Sequence, residues 1–364
     1  MRDNIFKILN VADKEDVISN MLVFSLNNHT SFREFFMRKI TNKYDNNCSN
    51  FKAYTRTSIQ GVGVPDIVIN YQLNGKQFQI IVENKLKAKE GEDQTVKYSS
   101  KQLINGLKRR FNFERVETEY IFLTLFPNQE PVNKEFNKLT YKDLLDYNYN
   151  DKTVIDKLLS DFFKILNDFY ECSVINFDDD VYKKLTSVPE LDGGFLYFQS
   201  LIKILNLNNS LDIENFFRDS KNGRNYYGVR ISKPNWHPSK LDIKEPENFL
   251  PNEHYNIHFE PQYNVLSGDF TIYLHYETNP YKPKKWVDNN IPVEKYNKYW
   301  EIRSKVKNKL RNIDIKNFQI SGRTNQIAKA KIDFNNKSAE EIIKKLETLF
   351  NNNSIIIDKV LSEV

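Results

Sequence analysis

The stretch Val64-Pro-Asp-Ile-Val-Ile-Asn-Tyr-Gln-Leu-Asn-Gly-Lys-Gln-Phe-Gln-Ile-Ile-Val-Glu-Asn-Lys85 decides the fold of this chain. Two apolar runs flank Leu73-Asn74-Gly75-Lys76, and Asn-Gly between such runs is the strongest short-range signal for a hairpin closed by a two-residue type I′ turn. Pairing Leu73 with Lys76 sets every other pair. Tyr71 then faces Phe78, Ile69 faces Ile80, Ile67 faces Val82, and Asp66 falls opposite Glu83. Lys85, two residues beyond Glu83, points to the same face. The other face is Ile67, Ile69, Tyr71, Phe78, Ile80 and Val82, as a buried sheet face requires. A slip of one residue would exchange the faces and bury both acids, so register and chemistry are specified together.

Cβ atoms of directly opposed residues lie roughly 5 Å apart, and two like charges at about that distance repel by about 3 kcal/mol at an effective dielectric of about 20. Asp66 and Glu83 therefore need a compensating charge. If Lys85 alone supplies it, the group is an ordinary exposed cross-strand cluster. If a divalent cation supplies it, the open end of the hairpin is a site, and hard oxygen ligands favour Mg²⁺ or Mn²⁺ over zinc.

The chain has 364 residues, enough for more than one domain and a substantial core. Its 53 Lys and Arg against 48 Asp and Glu leave a charge of +5, compatible with a polyanionic partner but too small to select one. Cys48 and Cys172 stand far apart, supporting neither a disulfide framework nor a thiolate metal site, which points to a reducing, cytoplasmic compartment. The opening Met1-Arg-Asp-Asn-Ile-Phe-Lys lacks the apolar region of a signal peptide. No apolar run approaches the roughly 18 residues that span a bilayer, so no membrane partner is expected. A Gly-x-x-x-x-Gly-Lys phosphate loop is absent from the sequence, so any motor would be a separate chain.

Outward from the hairpin, Lys14 to Ile40 has helical spacing through Val17, Ile18, Met21, Leu22, Phe24 and Ser25, with Asp13 as its N-cap and a break at His29-Thr30-Ser31. Phe51 to Ile59 alternates as a strand, and Gly61-Val-Gly63 turns into the hairpin. A helix is expected from Gln94 to Arg110, followed by the apolar strand Glu119 to Phe126. Strand, helix, strand at this spacing is a crossover, so the last strand pairs parallel. The order is α, β, β, β, α, β. Lys138 to Tyr149 reads as a connecting loop with a short helix, Asp151 to Tyr170 as an amphipathic helix, and Phe195 to Leu205 as another. From Gly223 the texture turns to strands at Tyr226–Ile231, Tyr255–Phe259, Phe270–Tyr276, Phe318–Ser321 and Gln326–Phe334, with helices at Val293–Leu310 and Ser338–Phe350.

Glu15 lies in the first turn of the first helix, where it can lean over the open end as a third carboxylate or simply favour the helix dipole. Glu34 is the competitor. Gln94, Tyr98 and Gln102 recur four apart and share one helical face, either reaching Lys85 or a phosphate, or forming a half-exposed polar stripe. Lys101, Lys108, Arg109 and Arg110 make that helix basic, which suits backbone phosphates or a solvated face. Asp178-Asp-Asp180 reads as a helix N-cap rather than a metal site. His254 and His258 fall on one strand face and His275 on another, with no convergent spacing for a metal. Tyr281-Lys-Pro-Lys-Lys-Trp286 with Tyr296, Tyr299, Trp300 and Arg303 interleaves cations and aromatics, either as a base-stacking surface or as aromatic core.

Pro65-Asp66, followed after a strand by Glu83-Asn84-Lys85, resembles the motif of the PD-(D/E)XK nuclease superfamily, whose core has the α-β-β-β-α-β order read above. Glu83-Asn-Lys-Leu-Lys-Ala-Lys89 and Gln94-Thr-Val-Lys-Tyr98 are similar to its Gln-x-x-x-Tyr subgroup, particularly to bacterial proteins with Glu-Asn-Lys-Ile and Gln-Leu-x-x-Tyr. Those proteins open on an acidic residue followed by a helix, matched by Lys14-Glu15-Asp16-Val17-Ile18. The resemblance covers roughly residues 10 to 126 and extends loosely to the C-terminal half.

The resemblance implies an α+β fold, a restriction-endonuclease-like αβββαβ core with a mixed sheet plus a C-terminal α+β extension. The expected division is a nuclease-like domain at 1–150, a helical connector at 151–220, and an α+β domain at 221–364 for substrate binding or oligomerisation. It further implies metal-dependent hydrolysis of phosphodiester bonds, with DNA as substrate and anti-phage defence or DNA processing as the setting. Asp66 and Glu83 would ligate Mg²⁺ or Mn²⁺ with the Asn84 carbonyl, and Glu15 would bind directly or through water. Lys85 would act with the metal on the attacking water and on the charge at phosphorus. Gln94 and Tyr98 would position Lys85 or the phosphate, and products would carry 5′-phosphate and 3′-hydroxyl ends. A homo-oligomer or a separate partner protein is compatible with this reading. The alternatives are a catalytically silent nucleic-acid-binding or interaction protein with the same fold, and a nuclease acting on RNA.

Overall fold

The computed structural model describes residues 4–148, 153–208, 210–219, 225–313, 315, 317–321 and 325–364. Met1-Arg-Asp, Tyr149, Asp151 and Gly223, each used above to open or close a segment, lie outside them. The chain divides into two compact units, Met1–Cys172 with Val188–Leu196, and Ser173–Ser187 with Tyr197–Val364. The stretch 151–220, expected as a connector, is thus shared between the units. Cys48 is half-buried and Cys172 is buried with its thiol donating to the Asp168 carbonyl at 3.3 Å, and among the described residues no helix is long and apolar enough to cross a membrane.

The first unit runs α1 (Ile5–Ile8), α2 (Glu15–Asn28), α3 (Thr30–Ile40), β1 (Ser49–Thr55), β2 (Ile67–Leu73), β3 (Lys76–Lys85), α4 (Gln94–Tyr98), α5 (Lys101–Phe111), β4 (Glu117–Thr124), β5 (Asn137–Thr140) and α6 (Val154–Glu171). The sheet order is β1-β2-β3-β4-β5. β1, β2 and β3 pair antiparallel, while β4 pairs parallel to both β3 and β5. This is the mixed sheet with helices that the element order predicts.

Hairpin register follows the turn. Leu73 pairs with Lys76 and the ladder continues without a slip to Ile67 and Val82. Asn74 and Gly75 both have positive φ, 51° and 78°, the signature of a type I′ turn that Asn and Gly adopt at least cost.

The burial differs from expectation. β3 is buried on both faces, with Ile80, Ile81, Val82, Glu83 and Asn84 all at 0% exposure. Val68 and Ile81, on the face of the acids, pack with Tyr98, Leu103, Leu107, Phe122 and Phe136, so the crossover helices cover what looked like a solvent face. The alternation of the hairpin sequence hides this because Asn70 and Gln79, though polar, are buried and directly opposed, with Gln79 Nε2 donating to Asn70 Oδ1 at 2.9 Å.

Two helix boundaries also differ. The segment expected as one helix from Gln94 breaks at Ser99-Ser100, because the Ser100 side chain accepts from Leu103 N and starts α5 anew. The cap position of α2 is Lys14, without a side-chain bond, while Asp13 instead pairs with Lys14 and Lys87. The break at His29 is real: its ring accepts from Phe32 N and caps α3.

The second unit contains α7 (Val181–Leu185), the α8 helix (Gly193–Lys203) through which the chain enters it, β6 (Asp212–Asp219), β7 (Tyr226–Ser232), β8 (Tyr255–Asn264), β9 (Phe270–Thr278), α9 (Lys284–Asn290), α10 (Val293–Ile313), β10 (Gln319–Ile320), β11 (Gln326–Ile332) and α11 (Ala339–Ser362). Its sheet is antiparallel in the order β10-β11-β9-β8-β7-β6. One face packs on helices, as Phe259 against Phe350 and Tyr276 against Tyr299 show. β6 was not expected, since Asp212-Ile-Glu-Asn-Phe-Phe-Arg-Asp219 lacks alternation. A register shift between Ile213 and Phe216 accounts for that. Asp180 caps α7, accepting from Lys183 N at 3.1 Å, as expected of that acidic run.

Candidate active site

The site forms where β2 and β3 part. The paired ladder ends at Ile67 with Val82, so Asp66 lies one residue beyond the last rung, where its charge acts on Glu83. The Asp66 carboxylate closes the gap by accepting from Asn84 N at 2.8 Å through Oδ2, and its own carbonyl accepts from Arg56 N at 3.1 Å. Side chains alternate along β3, so Glu83 and Lys85 point to the face covered by α5, and Asn84 to the face covered by α2.

Lys85 Nζ forms an ion pair with Glu83 Oε1 and lies 3.9 Å from Glu15 Oε2. Glu15 Oε1 accepts from Leu86 N at 2.9 Å. The first helix therefore does deliver a third carboxylate to the hairpin's open end. Glu34, its competitor, pairs with Arg38 along α3 at 3.9 Å.

Burial and then the Asp66 charge push the Glu83 carboxyl up to about 8, against the pull of Lys85. Burial also raises Asp66, opposed by the Asn84 N–H and by Lys85. For the Lys85 ammonium burial works the other way, but Glu83, Glu15 and Asp66 together outweigh it and leave the pKa above the ordinary lysine value. Two carboxyls crowded into a dry site are the arrangement that a divalent cation relieves.

The donor set fits such an ion. Apart from the Lys85 ion pair, neither Glu83 oxygen makes a hydrogen bond among the described residues, although both are buried. Asp66 keeps Oδ1 beside the Oδ2 spent on Asn84. The N–H and C=O of a strand residue point to the same side, so the Asn84 carbonyl opens toward the acid its N–H contacts. All donors are hard oxygens, as Mg²⁺ or Mn²⁺ prefers.

Gln94 and Tyr98 form a clamp on the segment that delivers Asp66. Tyr98 Oη donates to the Val64 carbonyl at 2.9 Å and accepts from Gln94 Nε2 at 3.2 Å, while Gln94 Oε1 accepts from Gly91 N at 3.1 Å. A Cβ at Gly63 would come within 2.6 Å of Tyr98 Cε1, so only glycine lets the ring reach across the chain here. The contacts of the pair run to Val64 and Gly91; Gln102 is exposed beyond the helix break.

Sequence reasoning missed how the site is tied to its supports. The buried Asn84 side chain donates to Ser19 Oγ at 2.9 Å and to the Glu15 carbonyl at 3.4 Å, and accepts from Tyr141 Oη at 2.8 Å. Glu15 and Ser19, four apart at the start of α2, carried a signal for this. Tyr141 carried none.

Other candidates separate from the site. Lys101, Arg109 and Arg110 are exposed and Lys108 half-buried, with Arg110 donating to the Ser58 carbonyl at 3.1 Å. In the second unit, Tyr299 and Arg303 are buried, as aromatic core requires, while Lys282 sits over Trp286 at 4.9 Å. The histidine reading needs correction. His254 accepts from Leu250 N at 2.8 Å, ahead of β8, and His258 and His275 stand directly opposite each other on one face.

A scan against protein-family models matches residues 3–167 to the PD-(D/E)XK nuclease superfamily. That stretch belongs to the PD-(D/E)XK nuclease superfamily. The match spans every element that builds the site, from α2 through β5 and on into α6. Proteins of this superfamily are nucleases that act on nucleic acid and typically use divalent metals. Neither the curated proteins nor the solved structures gave a match.

Proposed function

We propose that the first unit is a Mg²⁺- or Mn²⁺-dependent nuclease that hydrolyses phosphodiester bonds of DNA. One observation carries the reading: Glu83 is fully buried beside Asp66, with Oε1 paired to Lys85 and Oε2 without a hydrogen bond among the described residues. A group held only for stability would have both oxygens satisfied, since a buried polar atom left without a partner costs about 1–3 kcal/mol, and more when it is charged.

In this reading Asp66, Glu83 and the Asn84 carbonyl hold the ion, with Glu15 beside them. When bound, the ion supplies Lewis acidity that makes water a nucleophile at neutral pH and offsets charge on the phosphate. Lys85, charged and pointed at Glu83, keeps its remaining ammonium protons for the attacking water or a non-bridging phosphate oxygen. Glu15 steadies Lys85 and spends its other oxygen on Leu86 N–H. Gln94 and Tyr98, the pair that defines the Gln-x-x-x-Tyr subgroup, fix the Val64 carbonyl and thereby the carboxylate of Asp66. The exposed cations of α5 contact the DNA backbone, and residues 221–364 serve substrate binding or self-association. Anti-phage defence or DNA processing is the setting the resemblance supports.

The test is cleavage of plasmid and oligonucleotides with Mg²⁺ or Mn²⁺ by the full chain and by Asp66→Ala and Lys85→Ala. Metal-dependent cleavage abolished by both substitutions is expected. Cleavage that persists unchanged in both sinks the site. Binding without cleavage by the wild type would select the silent nucleic-acid-binding alternative.

A further inference from the structure

The face of the second sheet turned away from α10 and α11 carries a cluster that the nuclease reading does not use. β8 and β9 set His258 directly opposite His275, with rings 5° from parallel and centroids 5.2 Å apart. Period-two alternation adds Glu260 from β8 and Glu277 from β9 to the same face. His258 Nε2 lies 3.5 Å from Glu260 Oε2, His275 Nδ1 lies 3.2 Å from Glu277 Oε1, and His275 Nε2 lies 3.9 Å from Glu260 Oε1. One donor atom from each of His258, His275 and Glu277 falls within 4.8 Å of the other two.

The hydrogen-bonding pattern aims ring nitrogens into the cluster. His258 is fully buried, and its Nδ1 lies 3.1 Å from Asn256 Oδ1. A carbonyl oxygen only accepts, so Nδ1 carries the proton and Nε2 presents a bare lone pair toward the Glu260 carboxylate. Among the described residues Nε2 makes no hydrogen bond, nor does either nitrogen of His275. Buried lone pairs facing carboxylates cost free energy unless something positive lies between them. A histidine that donates through one ring nitrogen and offers the other is the form in which imidazole binds metals.

The spacing agrees. Metal–ligand bonds of about 2.0–2.2 Å at tetrahedral angles separate donor atoms by roughly 3.3–3.6 Å. The 3.2 Å and 3.5 Å contacts lie close to that spacing. Arg230, 3.9 Å from both Glu260 Oε2 and Glu277 Oε2, leaves Glu277 Oε1 toward His275, while Glu260 Oε2 lies between Arg230 and His258 and Glu260 Oε1 accepts from Gln262 Nε2.

We propose that His258, His275 and Glu277, with Glu260 closing the group, bind one first-row transition-metal ion of the zinc class. Imidazole donors select such an ion over Mg²⁺, in contrast to the all-oxygen set of the nuclease unit. The ion pins β8 to β9 at the centre of the sheet and is a component of the second unit, whatever the first unit cleaves.

The test uses the full chain carrying Asp66→Asn and Glu83→Gln, which silence the first site, purified without a histidine tag and stripped with chelator. Titration with Zn²⁺ alone should show one equivalent bound, and Co²⁺ alone should give the visible absorption of a four-coordinate nitrogen and oxygen site. His258 is too deeply buried for a safe substitution, so the deciding variants are His275→Ala and Glu277→Gln in that background. Each should weaken zinc binding about 100-fold or more. A stripped chain that takes up no zinc and shows no cobalt band overturns the proposal, as does either variant binding zinc as tightly as its parent. If a variant does not fold, zinc uptake and the cobalt spectrum of its parent decide alone.

Discussion

Replacing Glu83 by Gln should make the metal-free nuclease unit more stable. In the folded chain Glu83 titrates at about 8, against 4.5 for an ordinary glutamate. Between those values the folded state holds a proton that the unfolded chain has released. The stability from this group is therefore fully present below pH 4.5, falls as pH rises, and is lost above about 8. At pH 7 the loss relative to low pH is about 3 kcal/mol, and the whole shift is worth about 5 kcal/mol, at about 1.4 kcal/mol per tenfold change in proton affinity. Asp66, raised by burial, adds in the same direction. Lys85, raised above 10.5, stays charged throughout.

Gln carries its own protons and escapes this loss. Glu83→Gln in chelator should thus exceed wild type by about 3 kcal/mol at pH 7, a shift in Tm on the order of 10 °C for a unit of this size, and should match it near pH 4. Mn²⁺ should restore the wild type at pH 8 and leave the variant unmoved. Calorimetry and hydrogen exchange at Ile80, Ile81 and Val82 read the first unit directly. Trp236, Trp286 and Trp300 all belong to the second, so tryptophan fluorescence is an internal control that should not change. A variant less stable than wild type in chelator at pH 7, or a metal-free wild type whose stability is flat from pH 5 to 8, would falsify the account of Glu83.

Asn84→Ala strands the Tyr141 hydroxyl and Ser19 in a dry site, and calorimetry should show a loss of about 2–4 kcal/mol; a loss under about 1 kcal/mol would mean that water takes the amide's place. Tyr98→Phe removes the bond to the Val64 carbonyl and should lower the cleavage rate about tenfold, with weaker metal binding and unchanged DNA affinity. Loss of DNA affinity alone would instead mark Tyr98 as a phosphate contact. Gly63→Ala drives a methyl group to within 2.6 Å of the Tyr98 ring and should impair cleavage at least as much as Tyr98→Phe, and full activity would show that the ring can retreat.

The hairpin was legible because Asn74-Gly75 admits one turn geometry and period-two alternation then leaves no freedom in register. Glu15, Asp66, Glu83 and Lys85 were legible for the same reason, as positions on a frame already fixed. What stayed hidden depends on partners distant in sequence. The cover over the acids comes from α5, and Asn84 acquires its meaning from Ser19 and Tyr141. The helix break at Ser99-Ser100 is a local contest between propensity and a serine cap, which periodicity does not resolve. His258 and His275 were assigned to different faces because the pairing of β8 with β9 has no turn signal as strong as Asn-Gly to set it.

The return of Val188–Leu196 to the first unit bears on how the chain can be taken apart. Lys87, two residues past the Lys85 of the site, donates to the Glu190 carbonyl at 3.4 Å and pairs with Asp192 at 3.3 Å. Both anchors come after the first excursion of the chain into the second unit, Ser173–Ser187. A single cut cannot excise the first unit with all of its scaffolding: ending at residue 172 discards the anchors, and ending at 196 keeps a stranded piece of the second unit. Limited proteolysis between 173 and 187 should therefore leave a nicked protein whose fragments stay associated, and transplanting the cleavage activity into another chain would carry this crossing with it.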